Sequence, residues 1–219
     1  VTKAANESGA LPKTVGMVRI YTSLRNDQRV INATQVNGVD GTKVHDLTRA
    51  ELEGRRQVMS ILDFLRKEAP GFQNAYVSGM PAVIGVRESR RIRGQERLTA
   101  RHVLEGIRTP GAVVRGAAFQ MDIHNPDGIG QAQGVSSSHP LGHDPKGKPY
   151  YIPYGCLVPQ QVEGLLLAGR CISSSHEAMA SCRVQVIALG IGVAAGTAAA
   201  QVVRQNVATG QADLAPIQK

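Results

Sequence analysis

Residues 164–206 read GLLLAGRCISSSHEAMASCRVQVIALGIGVAAGTAAAQVVRQN, and the order of their three parts decides how the chain is built. The apolar run ending at Gly169 and Arg170 predicts a buried strand. A polar loop, CISSSHEAMASC, follows, and a helix rich in Ala and Gly begins near Arg183 and runs to about Asn206. A helix start exposes unpaired N–H groups and the positive end of the helix dipole, which suit a carbonyl oxygen or a developing negative charge. Helical glycine costs ~1 kcal/mol relative to alanine. The repeated use of Gly190, Gly192 and Gly196 therefore predicts a smooth surface lying close to a strand. The same residues also allow a simpler reading, in which strand, loop and helix only pack together and His176 caps a helix or sits at the surface.

The twenty residues between Arg183 and Arg204, VQVIALGIGVAAGTAAAQVV, have about the length of a bilayer crossing. Much of the run is Ala, Gly and Thr, which add little transfer energy, and Gln185 and Gln201 interrupt it. The reading adopted is a buried helix whose small residues permit close packing, with no membrane partner.

Upstream, VTKAANESGALPK predicts a loose terminus or linker. MVRIYTSLRNDQRVINATQV gives two β-rich runs around the polar LRNDQ, a hairpin. A helix is expected from Leu47 to Lys67, with Thr48 and Glu51 at capping-box spacing, a stripe of Leu52, Met59, Leu62 and Leu65, and a stop at Pro70-Gly71. AYVSG, PAVIGV, GAVVRG and AFQMDIH predict short strands, interrupted by a helix beginning near Thr99. The elements show no βαβ rhythm, so the fold class is α+β, a mixed or antiparallel sheet with packed helices. Asn125 to Lys148 is a long Gly/Ser/Pro-rich loop, of a length that is functional or disordered in compact chains.

With 219 residues, 42% of them hydrophobic, the chain can bury a core. A formal charge of +8 favours an anionic ligand or partner, and part of the excess lies between Arg87 and Arg101. No aromatic residues are interleaved with these arginines, which excludes a stacking platform for nucleic acid. The three cysteines show no C-x-x-C spacing, so the expectation is a reducing, cytoplasmic compartment without disulfides or zinc.

GVRESRRIRG, MDIHNPDG, YYIPYGCLVP, LLLAGRCISSSHEA and RVQVIALGIGVAAGTAAA occur in that order. The series resembles a family of FAD-dependent oxidoreductases related in architecture to glutathione-reductase-like flavoproteins, over about Asp46 to Val203. The resemblance implies that the final strand and helix complete a flavin-binding domain. Arg183, Val184 and Gln185 would then lie beside the isoalloxazine ring, with Gly169, Arg170 and Ser173 near its ribityl chain or ring. It divides the chain into a substrate-domain portion, 1–160, and the strand and helix of the FAD-binding domain, 161–219. Broader relatives carry an acidic residue where this chain has Arg170, so an Asp-to-ribityl contact does not carry over.

Such a family opens with strand, G-x-G-x-x-G and helix. Here GIGQAQG at Gly128 follows no strand and GIGVAAG at Gly190 lies within a helix pattern. The chain is therefore expected to be a carboxyl-terminal portion, inactive and FAD-free alone, that needs an amino-terminal FAD-binding segment or subunit. The rival is a non-catalytic binding or assembly module using the basic face.

Two functional groups remain. Arg87, Arg90 and Arg91 can hold an anionic small organic substrate through paired guanidinium bonds, or can be solvated, pair with Glu88, Glu96 and Glu105, or face another domain. His124, at a position the resemblance matches, is the proton-transfer candidate; alternatively it bonds a backbone carbonyl at a strand end. Asp122 and His124 with His139 and His143 are a weak metal set without fixed helical spacing, so no metal is expected. Because the 125–148 loop offers little apolar area to offset its ordering entropy, limited proteolysis should nick it before the Leu47–Lys67 helix. Cleavage in the reverse order refutes that assignment.

Overall fold

The computed structural model describes residues 2–16, 18–123 and 148–218. His124, His139, His143, nearly all of the 125–148 loop and its GIGQAQG therefore lie outside the described residues. The fold is α+β in two compact units, one running to Ser89 and the other containing Arg90–Ile123 and the residues from 148 onward.

The first unit opens with α1 (Thr2–Glu7), where a loose terminus is expected. The Asn6 amide donates to Pro12 O at 2.6 Å and to Val15 O at 3.0 Å, and Leu11 and Val15 are buried beside Ile61, Phe64 and Leu65. Those bonds and that burial offset the ordering cost that polar composition alone would not. The expected hairpin forms: β1 (Arg19–Thr22) pairs antiparallel with β2 (Arg29–Asn32), Tyr21 opposite Val30.

The long helix, α2, spans Val44–Glu68. It starts a turn before the expected cap, so Thr48 is interior and donates to Val44 O. Its buried face is Ala50, Gln57, Ile61, Leu62, Phe64 and Leu65, while Leu52 and Met59 from the expected stripe are exposed. Buried Gln57 displaces the stripe: it accepts from Gln35 N at 2.9 Å and donates to Gln35 O at 2.9 Å, acting as a partner for the backbone of that segment. AYVSG and PAVIGV form no strands. Ile84 N–H donates to the Glu51 carboxylate, satisfying locally a group that a neighbouring strand would otherwise take.

In the second unit Thr99 precedes α3 (Ala100–Glu105), as expected, with Thr99 N–H donating to His102 Nδ1 at 3.2 Å. β3 (Ala112–Ala117) pairs antiparallel with β4 (Tyr150–Pro153). Of AFQMDIH, Ala118–Ile123 are described, and none of these is in a strand. GLLLAG also forms no strand; Leu167 N–H bonds Leu157 O, and Leu165 is exposed. Apolar, β-prone composition makes such runs extended, but a ladder needs a partner that composition cannot supply.

The unit is instead knitted by three irregular segments. Gln95 N–H donates to Val158 O at 2.9 Å, Glu96 N–H to Gly155 O at 3.1 Å, Leu98 N–H to Ser173 O at 3.0 Å and Ser173 N–H to Cys156 O at 2.9 Å. This layer buries Leu98, Cys156, Leu157, Val158 and Ile172. At its crossing, a Cβ on Gly94 would sit 2.6 Å from Gly155 O and 2.7 Å from Ser173 Cβ, so only glycine fits.

The expected polar loop before the last helix contains α4 (His176–Cys182), started by Ser175, whose hydroxyl accepts from Ala178 N. The last helix, α5, is Gln185–Gln205. It buries Ile187, Ile191, Ala194, Ala198 and Val202, while Val186, Leu189, Val193 and Val203 are exposed. Among the described helices it alone is long and apolar enough to cross a membrane, and only 28% of that window is buried, so it is not the enclosed helix expected. Of its three glycines only Gly190 approaches a strand, where an added Cβ would lie 3.6 Å from Val114 Cγ1; Gly192 and Gly196 face open space because they lie on the outer side.

The crossing and the outer face give opposite expectations. Gly94→Ala should lower stability by about 1–3 kcal/mol through overpacking, whereas Gly192→Ala should raise it by up to ~1 kcal/mol. Urea midpoints of the two variants measure this, and equal midpoints would remove the crossing as a constraint.

Candidate functional site

Gly169, Arg170, Ser173, Arg183, Val184 and Gln185 all lie in the second unit. Gly169 opens a single 3-10 turn, Gly169–Cys171, which packs against α5. Its φ of +77° favours glycine, and a Cβ there would meet nothing within 4 Å, so the backbone is approachable from that side. Arg170 is exposed. Ser173 is only 3% exposed and belongs to the knitted layer through Cys156 and Leu98.

Arg183 and Val184 form the whole connection between α4 and α5. Arg183 ends α4, its N–H donating to Met179 O, and Val184 is the N-cap of α5. Valine has no oxygen to cap with, so the first-turn N–H groups beside exposed Gln185 and Val186 receive no side-chain acceptor from it. This end of a 21-residue helix is accessible and positively polarised.

The Arg183 side chain turns back to the segment after β3. Nη2 donates to Asp122 O at 2.6 Å and lies 3.3 Å from the Asp122 carboxylate, with the two side chains 12% and 21% exposed. Ser181 fixes the same segment by donating to Phe119 O at 2.6 Å. Its proton is thereby used, so the Tyr150 hydroxyl, 2.9 Å away, donates to Ser181 Oγ. Burial pushes the Tyr150 pKa well up, keeping that donor protonated. Sequence reasoning missed α4, Tyr150 and Ser181. Ser175 followed by Glu177 is a helix-start signal that would have found α4; no local signal marks the pairing of Ser181 with Phe119.

Arg87 is exposed in the first unit, whereas Arg90 and Arg91 open the second. Arg91 is partly buried. Burial lowers its pKa and the Arg97 guanidinium acts the same way, while Glu177 opposes both. Among the expected partners of the arginine cluster, Glu105 pairs with Arg101 at 2.9 Å and Glu96 accepts from Gly155 N–H at 3.1 Å.

Among the described residues no group of three His, Cys, Asp or Glu is placed to hold a metal. Gly190–Gly196 lies in the interior of α5, where backbone N–H groups are bonded within the helix and cannot cradle a phosphate. A cleft of about 220 Å³ lined in part by Gln95, Gln160, Glu163 and Thr209 involves none of the expected site residues.

In comparison with protein families, residues 2–219 match the family model described as FAD dependent oxidoreductase. No curated protein and no solved structure matches the chain.

The cysteines offer a check on the geometry of this region. Cys156 and Cys182 are fully buried and burial pushes each thiol up to about 12, whereas Cys171 in the Gly169 turn is partly exposed. A thiol reagent at neutral pH should titrate one cysteine in the folded chain and three after denaturation. Rapid reaction of a second thiol would show that Cys156 or Cys182 is not buried as described.

Proposed function

This chain belongs to the FAD-dependent oxidoreductases, and from that premise we propose that it forms the carboxyl-terminal portion of such an enzyme, contributing the substrate site and the helix beside the flavin ring. When bound, FAD would supply the redox chemistry, as the acceptor of a hydride equivalent from the substrate, leaving to this chain's own groups the removal of the accompanying proton. The accessible start of α5, with the Gly169 turn packed against that helix, is the observation that carries the reading. Its N–H groups and dipole suit the ring carbonyl where negative charge develops.

Gly169, Arg170, Val184 and Gln185 offer accessible groups to the cofactor; Ser173 and Arg183 support them from the knitted layer and the helix junction. Arg90 and Arg91 bind an anionic substrate group through charge-assisted bonds, and Arg87 is a separate anion-binding candidate. His124 takes the substrate proton. Another segment or subunit grips the adenosine and pyrophosphate. The helical setting of Gly190–Gly196 supports this, as does the apolar outer face of α5, which suits a covering segment. The free thiols favour a reducing, cytoplasmic setting.

The isolated chain should purify nearly colourless, and the complete protein should carry a flavin spectrum. Stoichiometric FAD on the chain alone would place the whole cofactor site within it. No flavin in the complete protein would favour a non-catalytic module. Gly196→Leu then tests the outer face: with open space around Gly196, the chain's own stability should hold or rise by ~1 kcal/mol. Bound flavin per folded complete protein should nevertheless fall further than in Arg101→Ala. Normal occupancy in Gly196→Leu would show that the FAD-binding segment does not cover this face.

A further inference from the structure

Resting on the flavin position proposed above, we propose that Asp122 and Arg183 set the reduction potential of the bound flavin, the carboxylate holding in check a guanidinium at the entrance to α5. Arg183 is the residue before the N-cap of that helix, and its side chain is largely shielded from water. Charges so shielded act over longer distances than solvated ones. Two bonds reach Asp122, and they differ in kind. The 2.6 Å bond to the main-chain carbonyl already orients the guanidinium; the carboxylate, at 3.3 Å, adds an opposing charge more than it adds position.

The carboxylate is also prevented from drifting. Ser181 holds Phe119 O on the same segment and itself receives the Tyr150 hydroxyl, so Asp122 is fixed relative to the α4–α5 junction from two sides. Two-electron reduction with uptake of one proton places one negative charge on a flavin ring. A positive charge near the helix start favours that state, and a neighbouring carboxylate opposes it. The pair thus acts through the field at the ring without touching the substrate.

The test is a spectroelectrochemical titration, at fixed pH, of the FAD-loaded complete protein. Asp122→Asn keeps the shape and the main-chain bond but removes the opposing charge. It should raise the ratio of reduced to oxidised flavin at a given poise about tenfold, about 30 mV for a two-electron couple. Arg183→Gln should shift the potential the opposite way, and Arg183→Lys, which keeps the charge, should stay closer to wild type. Glu105→Gln, at a solvent-exposed pair with Arg101, should leave it unchanged. A purely structural tie would alter melting temperature without these opposed shifts. Should Arg183→Gln fail to fold, Asp122→Asn and Arg183→Lys decide between them. Normal FAD loading with potentials that do not move, or that move in one direction for Asp122→Asn and Arg183→Gln, overturns the proposal alone. Failure of the wild-type protein to take up FAD overturns the flavin position and the proposal with it.

Discussion

Backbone contact at Gly94 and Gly155 governs the second unit. A side chain at Gly94 would collide with the Gly155 carbonyl and Ser173, and one at Gly155 would collide with Glu96 at 2.7 Å. With both absent, three segments approach closely enough to satisfy one another's N–H and carbonyl groups without a regular sheet. Their apolar side chains can then be buried without stranding polar backbone. Ser175 bonds Leu98 O and starts α4, which ends at Arg183 beside the start of α5. The orientation of the candidate site is thus inherited from a crossing that contains none of its proposed catalytic groups.

α5 has two different apolar faces. Ile187, Ile191, Ala194, Ala198 and Val202 recur at helical spacing and join the core. Val186, Leu189, Val193 and Val203 point outward beside Gly192 and Gly196. Burying the second face would release substantial apolar area from water, which gives a covering segment a reason to dock independently of the cofactor.

Much of this architecture was legible in local sequence. An apolar stripe located α2, a long Ala/Gly-rich run located α5, the polar break between β-rich runs located the hairpin, and Thr99 located α3. Pairing was less legible because it is not a local property: PAVIGV and GLLLAG carry strand composition, but the bonds of Ile84 and Leu167 go to Glu51 and Leu157. The amino terminus looked loose because its polar letters conceal the Asn6 bonds. At the site, the change of pattern near Arg183 marked a helix start, yet Ser-rich composition hid α4. The tie from Arg183 to Asp122 depends on residues far apart in the chain, which no spacing rule connects.

The knitted layer also has a consequence for the order in which the protein acquires structure during synthesis. The elements of the first unit are close in sequence, so their contacts can form soon after α2 leaves the ribosome. Leu98, in contrast, must wait for Ser173 and Ser175 before its backbone bonds can close. Such distant partners make loop closure slow and keep apolar side chains in contact with water meanwhile. Nascent chains stalled anywhere in that interval would hold one formed unit and a stretch of unclosed chain, the species a chaperone or a protease would meet first.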